Sequence, residues 1–540
     1  MSAPGAARGL YGSDRSLLLP LAAKLADRGI LKWVIAITAA TGALLEVIDT
    51  SIVNVALPDI QGNLGATLTE VGWVSTGYAC ANVVMIPLTA WLSDRFGRKR
   101  YMIFSLAGFT AASVMCGLST NLATLVIARV LQGLAGGGLL AKAQAVLFET
   151  FPREQQPMAQ AIFGIGVIAG PAFGPVLGGY LTDTIGWRWI FFINLPVGIL
   201  AVVMAAFFLP RESDAEHTER RVDWAGIGLL TVGLACLQTM LEQGQEDDWF
   251  SSRFICLMAF GAVAGIGLLI WRELHIDYPA IDLRVLKYRS LSAGSVYSLV
   301  LGMGIYGVIF AVPIFVQDFL HFTAEESGIL QIPSAIASAI AMLVMGKISG
   351  RFDARLLIGI GALITVSAAV MLAQINPDTT AASLFWPLFL RGLGSVCMFL
   401  PLSLATLGPL PLDKVSSGSG FYNLMRQMGS SIGIALITTE LAHREAVHRS
   451  VLVERINRGN FAATHRLQLL AEAFGRFSAD PVANAKRALA VTDGIINGQS
   501  MLLSFADVFQ YVAAAFVVTL PLLLMLGRGK TTGPAAAAAH

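Results

Sequence analysis

The stretch Leu44–Pro58, LLEVIDTSIVNVALP, places two carboxylates inside a long apolar run that begins near Lys32. Glu46, Asp49 and Thr50 are spaced i, i+3 and i+4, so a helix presents all three on one face. Burial disfavours the charged form of a carboxyl group, and a second carboxylate nearby adds to that effect. Such a pair can take up and release protons near neutral pH, which is the chemistry of a proton-coupling site. The alternative is a carboxylate held in a permanent ion pair by an arginine in the same apolar region.

A second polar face lies in the apolar stretch ARVLQGLAGGGLL, where Arg129, Gln132 and Gly133 share one side of a helix. An arginine stays protonated in proteins, so Arg129 is predicted to be a fixed charge that biases a carboxylate nearby. The alternative is an arginine that only braces the fold. Lys142 points to a different face and is expected to reach toward the cytosol.

Glycine recurs at every fourth residue in the stretch GIGVIAGPAFGPVLGGYL. Small residues at this spacing let helices pack closely, and prolines bend a helix. The pattern predicts either ordinary tight packing or a rigid seam between two halves of the molecule that prevents leakage. The residues that carry it are Gly166, Gly170, Pro171, Gly174, Pro175, Gly178 and Gly179.

A third polar stripe appears in FYNLMRQMGSS, where Asn423, Arg426, Gln427 and Ser430 follow the helical period. Polar and charged residues inside lipid are costly, so they face a protein interior or a cavity. We expect this stripe to face inward and Arg391 in LRGLG to join it.

The elements that must position these residues are membrane helices. The chain has 540 residues, of which 55% are hydrophobic and only 13% charged, with a mean hydropathy of +0.68. Soluble domains are about one quarter charged. A spanning helix needs roughly 20 apolar residues, and that length predicts about fourteen spans between residues 33 and 526. The fold class expected is an all-α polytopic membrane protein.

Other classes of protein find no support in the sequence. The net charge is only +2, so no nucleic-acid partner is expected. The five cysteines stand singly in apolar runs, and neither a metal site nor a cofactor is predicted. The seven histidines fall outside the predicted spans or at their edges, which argues against a membrane-embedded enzyme.

Basic residues predict the orientation. Connections such as DRFGRKR and PREQQP are rich in Lys and Arg, whereas DIQGNLGATLTE and STN have none. Basic loops stay cytosolic, so both termini are predicted to be cytosolic. A weak repeat between WLSDRFGRKR and GKISGRFDAR indicates two halves. The predicted divisions are a cytosolic segment 1–31, a six-helix bundle 32–210, two inserted helices with linkers 211–290, a second six-helix bundle 291–526, and a cytosolic tail 527–540. The second bundle includes a periplasmic hairpin at 443–500, for which a loosely ordered connector is the alternative.

These motifs together resemble the major facilitator superfamily, specifically its fourteen-helix drug:proton antiporter branch of the EmrB and QacA types, and most closely the EmrB type. The resemblance runs from about Lys32 to about Leu526. The stretch AWLSDRFGRK matches the family pattern G-x-L-a-D-r-x-G-r-k, with Ala90 in place of the leading glycine. The residues in place there are Asp94, Arg95, Gly97 and Arg98.

Three further motifs stand in the same order as in that branch. The first-span pattern D-x-t-i-v-n-v-A-l-P is met from Asp49 to Pro58. The fourth-span pattern R-x-x-Q-G is met by Arg129, Gln132 and Gly133. The fifth-span pattern G-P-x-x-G-G is met by GPVLGG at 174–179.

The resemblance implies two six-helix bundles with two extra helices between them, around a cavity that opens alternately to each side. It implies that Asp49 is the protonation site with Arg129 nearby, and that residues 94–98 form a conformational latch. It also implies an inner-membrane pump that works with a periplasmic adaptor (EmrA-like) and an outer-membrane channel (TolC-like).

We therefore expect a secondary transporter that exports amphipathic small molecules in exchange for protons. Fixed cations outnumber carboxylates in the predicted interior, which favours neutral or anionic compounds such as weak acids or fatty acids. The alternative function is the proton-coupled import or export of a specific metabolite such as a siderophore. Glu46 is assigned to both proton coupling and substrate binding. The residues predicted to contact substrate are Glu46, Asn54, Gln132, Tyr306, Gln317, Arg391, Asn423 and Arg426.

Overall fold

A computed structural model describes residues 20–210, 222–276, 278–456, 459–476 and 480–526. Most of the predicted cytosolic segment 1–31, the linker residues 211–221 and the tail 527–540 lie outside this range. The described residues form helices joined by short connections, without a strand. The helices are α1 (Pro20–Asp27), α2 (Leu31–Leu64), α3 (Leu68–Phe96), α4 (Arg98–Gly117), α5 (Leu122–Gly136), α6 (Leu139–Thr150), α7 (Gln156–Thr184), α8 (Trp189–Phe192), α9 (Asn194–Phe208), α10 (Trp224–Gln243), α11 (Arg253–His275), α12 (Arg289–Ile314), α13 (Ala324–Leu330), α14 (Ile332–Ile348), α15 (Ala354–Leu372), α16 (Ala381–Leu407), α17 (Leu412–Arg455), α18 (Phe461–Gly475) and α19 (Pro481–Thr519).

Local chemistry explains where several of these helices begin. Thr67 precedes α3, and its side chain accepts a hydrogen bond from the backbone of Glu70. The Glu70 carboxylate accepts in return from the Thr67 backbone at 2.8 Å, which completes a capping box. Asn121 and Thr124 form the equivalent pair at the start of α5. Gly97 separates α3 from α4 with φ +84°, a conformation that glycine adopts without steric cost.

Twelve segments of the described chain are long and apolar enough to cross a membrane, judged by length and composition. The short breaks between α5 and α6 and between α8 and α9 fall inside single segments of this kind. Helices α4 and α17 are not among the twelve, although fourteen spans were predicted with both included. The reason is composition, because α4 begins with Arg98, Lys99 and Arg100, and the 44-residue α17 carries many polar residues.

The helices form two packed groups. In the N-terminal group α2 packs along α7, and α5 packs against α3 and α4; in the C-terminal group α12 packs along α17, and α16 packs against α14 and α15. The groups meet where α7 packs against α13 and α14 and where α3 and α6 pack against α17. The inserted helices α10 and α11 pack on each other, and α10 lies against both α3 and α17.

Residues 443–500, predicted as a helical hairpin, comprise the end of α17, all of α18 and the start of α19. Helix α17 packs along α19, and α18 packs on α19. The Arg449 guanidinium donates to Asp493 and to Asn497, both at 2.7 Å, which joins α17 to α19. Neither α17 nor α19 is interrupted where it enters this segment.

Candidate functional site

Asp49 lies at the centre of a buried polar cluster in the N-terminal group. Its carboxylate accepts hydrogen bonds from Arg129 at 2.5 Å and from Gln132 at 2.8 Å, both on α5. A third comes from Asn194 at the start of α9, also at 2.8 Å. Asp49 is 0% exposed and Arg129 is 1% exposed. Three helices therefore hold one ion pair in a site without solvent contact in this conformation.

The Arg129 side chain makes further contacts beside its bond to Asp49. Its Nη1 atom also donates to Gln132 at 2.8 Å, and its Nε atom donates to the Val74 carbonyl at 3.1 Å. The guanidinium carbon lies 4.2 Å from the centre of the Tyr78 ring, a cation–π distance. A buried ion pair is stable only when the remaining donors and acceptors are satisfied in this way. The predicted face of Arg129 and Gln132 thus meets the predicted face of Asp49.

Glu46 lies one turn from Asp49 but has different partners. One carboxylate oxygen accepts from the Asn82 amide and the other from the backbone N–H of Leu140, both at 2.9 Å. Leu140 belongs to the first turn of α6, where backbone N–H groups lack partners within the helix and favour an anion. Among the described residues no cation lies within ion-pair distance of Glu46, which is 8% exposed. Glu46 therefore caps the start of α6, and both groups that donate hydrogen bonds to it are neutral.

The start of α6 exists because the fourth predicted span is broken. That span was predicted as one helix over 122–147, but the structure ends α5 at Gly136 and begins α6 at Leu139. Gly138 adopts φ +79°, and a Cβ there would overlap the Thr89 hydroxyl. A discontinuous membrane helix exposes backbone groups that can bind charge. The glycine run therefore does more than allow close packing, because it turns backbone donors toward Glu46.

Two residues of this cluster were missed by the sequence reasoning, Asn82 and Asn194. Each is a single amide in an apolar helix, and neither forms part of a polar stripe. Their position inside predicted spans was the available signal, since buried polar groups require partners. Lys142 also differs from expectation. It is buried rather than extended toward the cytosol, donates to Ser105 at 2.5 Å and lies 3.6 Å from the centre of the Tyr101 ring.

The predicted latch segment lies at the turn between α3 and α4. Asp94 and Arg95 are exposed in the last turn of α3, and Gly97 forms the turn itself. Arg98 forms an ion pair at 3.1 Å with Glu149, a buried residue in the last turn of α6. Glu149 was not predicted. The segment therefore joins the end of the broken fourth span to the α3–α4 turn.

The predicted substrate residues do not converge on one place. Tyr306, Arg391 and Arg426 line a cavity where α7 meets α12, α14, α16 and α17. Asn423 instead donates to Gln144 of α6 at 2.7 Å, across the boundary between the two groups. Three of the eight predicted residues line this cavity and Asn423 contacts Arg426, so the assignment of all eight to substrate stays a prediction.

The remaining predicted substrate residues form hydrogen bonds with other parts of the protein and do not line this cavity. Asn54 accepts a hydrogen bond from Ser75 at 3.1 Å, and Gln317 donates to Ser327 at 3.2 Å. Gln132 binds Asp49, and Glu46 caps α6. The helical period groups residues on one face of a helix, but it carries no information about which helix lies opposite that face.

The glycine repeat on α7 packs against α2, which belongs to the same half of the molecule. A Cβ at Gly170 would lie 2.5 Å from Val47, and one at Gly174 would lie 2.5 Å from Ser51. A Cβ at Gly178 would lie 2.9 Å from the Ile52 carbonyl oxygen. The predicted seam between the halves is thus a seam within the N-terminal half. The other face of α7, which includes Pro171, faces the C-terminal half.

Replacing Gly174 with leucine is expected to separate α2 from α7. The added Cβ would stand 2.5 Å from the Ser51 Cβ and 3.2 Å from the Ile52 backbone nitrogen, neither of which can move aside. Overpacking of this kind costs about 1–3 kcal/mol or more. The thermal unfolding midpoint of the purified protein in detergent measures the loss. Gly267→Leu is the matched control, because a Cβ there meets nothing within 4 Å. Equal midpoints for the two variants would contradict the packing described.

Comparison with known proteins agrees with this architecture. A family profile described as Major Facilitator Superfamily matches residues 39–434. The chain is 34% identical over 490 residues to the multidrug export protein EmrB of Escherichia coli, covering 91% of this chain and 94% of that protein. It is 35% identical over 415 residues to the Haemophilus influenzae protein of the same name, covering 76% and 81%.

Two further matches carry names that refer to fatty acids or organic anions instead of drugs. The fatty acid resistance protein FarB of Neisseria gonorrhoeae is 31% identical over 495 residues, with 91% of this chain and 95% of that protein covered. The crystal structure of the human organic anion transporter MFSD10 (TETRAN) superposes with a TM-score of 0.58 at 12% identity. It covers 91% of this chain and 99% of that one, and at this identity it supports the fold alone.

Proposed function

The chain belongs to the major facilitator superfamily, as an EmrB-type multi-pass membrane transporter, and we propose that it exports amphipathic small molecules in exchange for protons. The observation that carries the proposal is the pair of buried carboxylates on α2. Asp49 is bound by Arg129, Gln132 and Asn194, and Glu46 lies one turn away. Intramembrane carboxylates of this kind mark proton pathways. The printed names of the relatives, multidrug export and fatty acid resistance, support export of such compounds.

The two carboxylates have different roles in the proposed cycle. Asp49 is paired with Arg129, so its protonation would leave a buried guanidinium without its counter-charge. Proton exchange at Asp49 therefore requires a conformation in which the pair opens and water enters. Glu46 has only neutral donors, so it is the group that can take a proton while the ion pair is intact. We propose that protonation of Glu46 releases α6 and that Asp49 exchanges its proton in the alternate state.

We propose that α4 and α17 also span the membrane, which gives fourteen spans and cytosolic termini in the inner membrane. The basic turn between α3 and α4 would then be cytosolic, as basic loops generally are. The helices of residues 443–500 would project into the periplasm. A charge that crosses the full potential contributes about 2.3 kcal/mol per 100 mV, which supplies the driving force for uphill export.

The resemblance to EmrB-type exporters supports a wider assembly. We propose that the pump works with a periplasmic adaptor (EmrA-like) and an outer-membrane channel (TolC-like), so that cargo leaves the cell in one passage. Deletion of residues 443–500 followed by pull-down with the adaptor encoded by the same organism would test whether this segment takes part. Retained adaptor capture would exclude the segment as the contact.

The test of proton coupling is transport into proteoliposomes driven by a pH gradient. Asp49→Asn is expected to reduce the driven transport of both ethidium and 8-anilinonaphthalene-1-sulfonate to the rate of liposomes without protein. Asp49→Glu, which keeps the charge, is expected to retain part of it. Asp493→Asn on the exposed hairpin is the matched control and leaves transport unchanged. Full activity in Asp49→Asn would reject the coupling role, and net transport with the proton flow rather than against it would indicate an importer.

A further inference from the structure

The cavity at the boundary between the two halves has two buried arginines in its walls. It is a partly open cleft, and the space of about 760 Å³ in and around it includes the region outside its mouth. Its walls are mainly apolar and include Ile168 and Pro171 of α7, Ile305 of α12 and Phe399 of α16. Arg391 and Arg426 line it, and no carboxylate does so among the residues described. A site of this composition is suited to an apolar body with one negative end.

Arg391 has a donor that the protein does not use. Its Nη2 atom donates to Gln331 at 2.6 Å and to Ser334 at 3.1 Å. Its Nη1 atom is buried and has no hydrogen-bond partner in the described part of the chain. The residue is 6% exposed, and Gln331 and Ser334 are neutral. Arg391 is therefore held in position through Nη2, while its Nη1 group can donate a hydrogen bond to a ligand.

Arg426 repeats this pattern on the other side of the cavity. Its Nη1 atom donates to the Tyr306 hydroxyl at 3.0 Å, and its Nη2 atom donates to Asn423 at 3.1 Å. Its Nε atom is buried and finds no acceptor within the described ranges. The residue is 5% exposed. Both arginines are thus held by neutral acceptors, whereas Arg129 of the other half is held by a carboxylate.

The energetic consequence concerns two buried arginines that form no ion pair and two buried N–H groups that have no acceptor in the described part of the chain. A buried charge without a counter-ion and a buried donor without an acceptor each destabilise the protein. A carboxylate ligand would remove both penalties, because ionised acceptors form the strongest hydrogen bonds to guanidinium groups. The apolar walls would bury the rest of the molecule.

We propose that this cavity binds the carboxylate of an amphiphilic monoanion, with Arg391 Nη1 and Arg426 Nε as its donors and the apolar walls around its tail. The proposal rests on the export function above and names the charge of its cargo. It also separates two sites. Glu46 and Asp49 do not line the cavity, so proton and cargo occupy different side chains and do not compete for one carboxylate.

The test is a binding measurement on the full-length protein in phosphatidylcholine nanodiscs, with decanoate and decanol as tail-matched probes. Decanoate is expected to bind the wild-type protein about ten- to a hundredfold more tightly than decanol, the range of a hydrogen bond to a charged group. Arg391→Gln and Arg426→Gln each lower decanoate affinity toward that of decanol. Decanol affinity stays unchanged in both, which shows that the cavity is still folded. Arg449→Gln on the exposed hairpin is the control and alters neither affinity.

Three results would overturn the proposal. One is equal affinity of the wild-type protein for decanoate and decanol. Another is decanoate binding that survives the loss of both arginines. A third is loss of decanoate binding when phosphatidylglycerol replaces phosphatidylcholine in the nanodisc, which would assign the arginines to a lipid headgroup. Asp49→Asn keeps decanoate binding under this proposal, so a failure of proton coupling and a failure of the anion site are observed separately.

Discussion

Replacing Arg129 with glutamine is expected to destabilise the folded protein by about 3–5 kcal/mol, the cost of breaking a buried ion pair from one side. Asp49 would keep its bonds to Gln132 and Asn194 but would lose its counter-charge in a site with no solvent contact. Unfolding of the purified protein, followed by circular dichroism against increasing denaturant, measures the change.

The double variant Asp49→Asn with Arg129→Gln distinguishes the effect of an unpaired buried charge from the effect of altered side-chain packing. It removes both charges, so its stability is expected to recover most of the loss, because neutral replacement of a buried pair is often tolerated. Proton-driven transport does not recover, since no titratable group remains at position 49. Arg449→Gln, at an exposed pair, is expected to change stability by less than about 0.5 kcal/mol. An Arg129→Gln protein as stable as the wild type would show that Asp49 does not depend on the ion pair.

Replacing Glu46 with glutamine is expected to uncouple transport from the pH gradient. The wild-type carboxylate holds the first turn of α6 through the Leu140 N–H and holds α3 through Asn82. A glutamine has one acceptor oxygen in place of two, so one of these donors loses its partner, and the side chain can no longer change charge. We expect transport driven by the pH gradient to fall by about 5- to 150-fold, the usual range of coupling between two sites.

Transport down a substrate gradient at equal pH distinguishes this loss of coupling from a loss of structure. It is expected to continue in Glu46→Gln, because Glu46 does not line the cavity that contains Arg391 and Arg426. Glu440→Gln, at a surface pair with Arg444, is the matched control and keeps both activities. If Glu46→Gln retains the full response to the pH gradient, Glu46 does not carry the proton.

The polar faces of single helices could be predicted from the sequence. Glu46 and Asp49 share a face because they are one turn apart, and Arg129 and Gln132 share another for the same reason. In an apolar bundle such faces must meet each other or a cavity, so the pairing of Asp49 with Arg129 follows from a small number of options. The motifs also identified the family, which the comparison with relatives confirms.

The partners across helices could not be predicted in the same way. Asn423 binds Gln144, which lies 279 residues away in the chain, and no helical period relates the two. The glycine repeat of α7 predicted close packing but not its partner, which proved to be α2 of the same half. The break at Gly138 was hidden because a run of glycines fits both a packing face and a broken helix. Single amides such as Asn82 and Asn194 gave no pattern at all.

The proposed proton site and the proposed cargo site lie on different helices, so the coupling mechanism must connect them. In the proposed cycle protons act on α2, α5 and α6, while the two arginines that line the cavity lie on α16 and α17. Coupling must then pass through the contacts between the halves, such as the bonds from Gln144 to Ser403 and from Asn423 to Gln144. A change at the start of α6 reaches these contacts directly, because Gln144 belongs to the same short helix as Leu140.

The most direct test of the central claim is proton release by the purified protein when decanoate is added in weakly buffered detergent solution, followed with a pH-sensitive dye. The account predicts release by the wild-type protein and none by the double variant Asp49→Asn with Glu46→Gln, although that variant still binds decanoate. Equal proton release by the two proteins would contradict it.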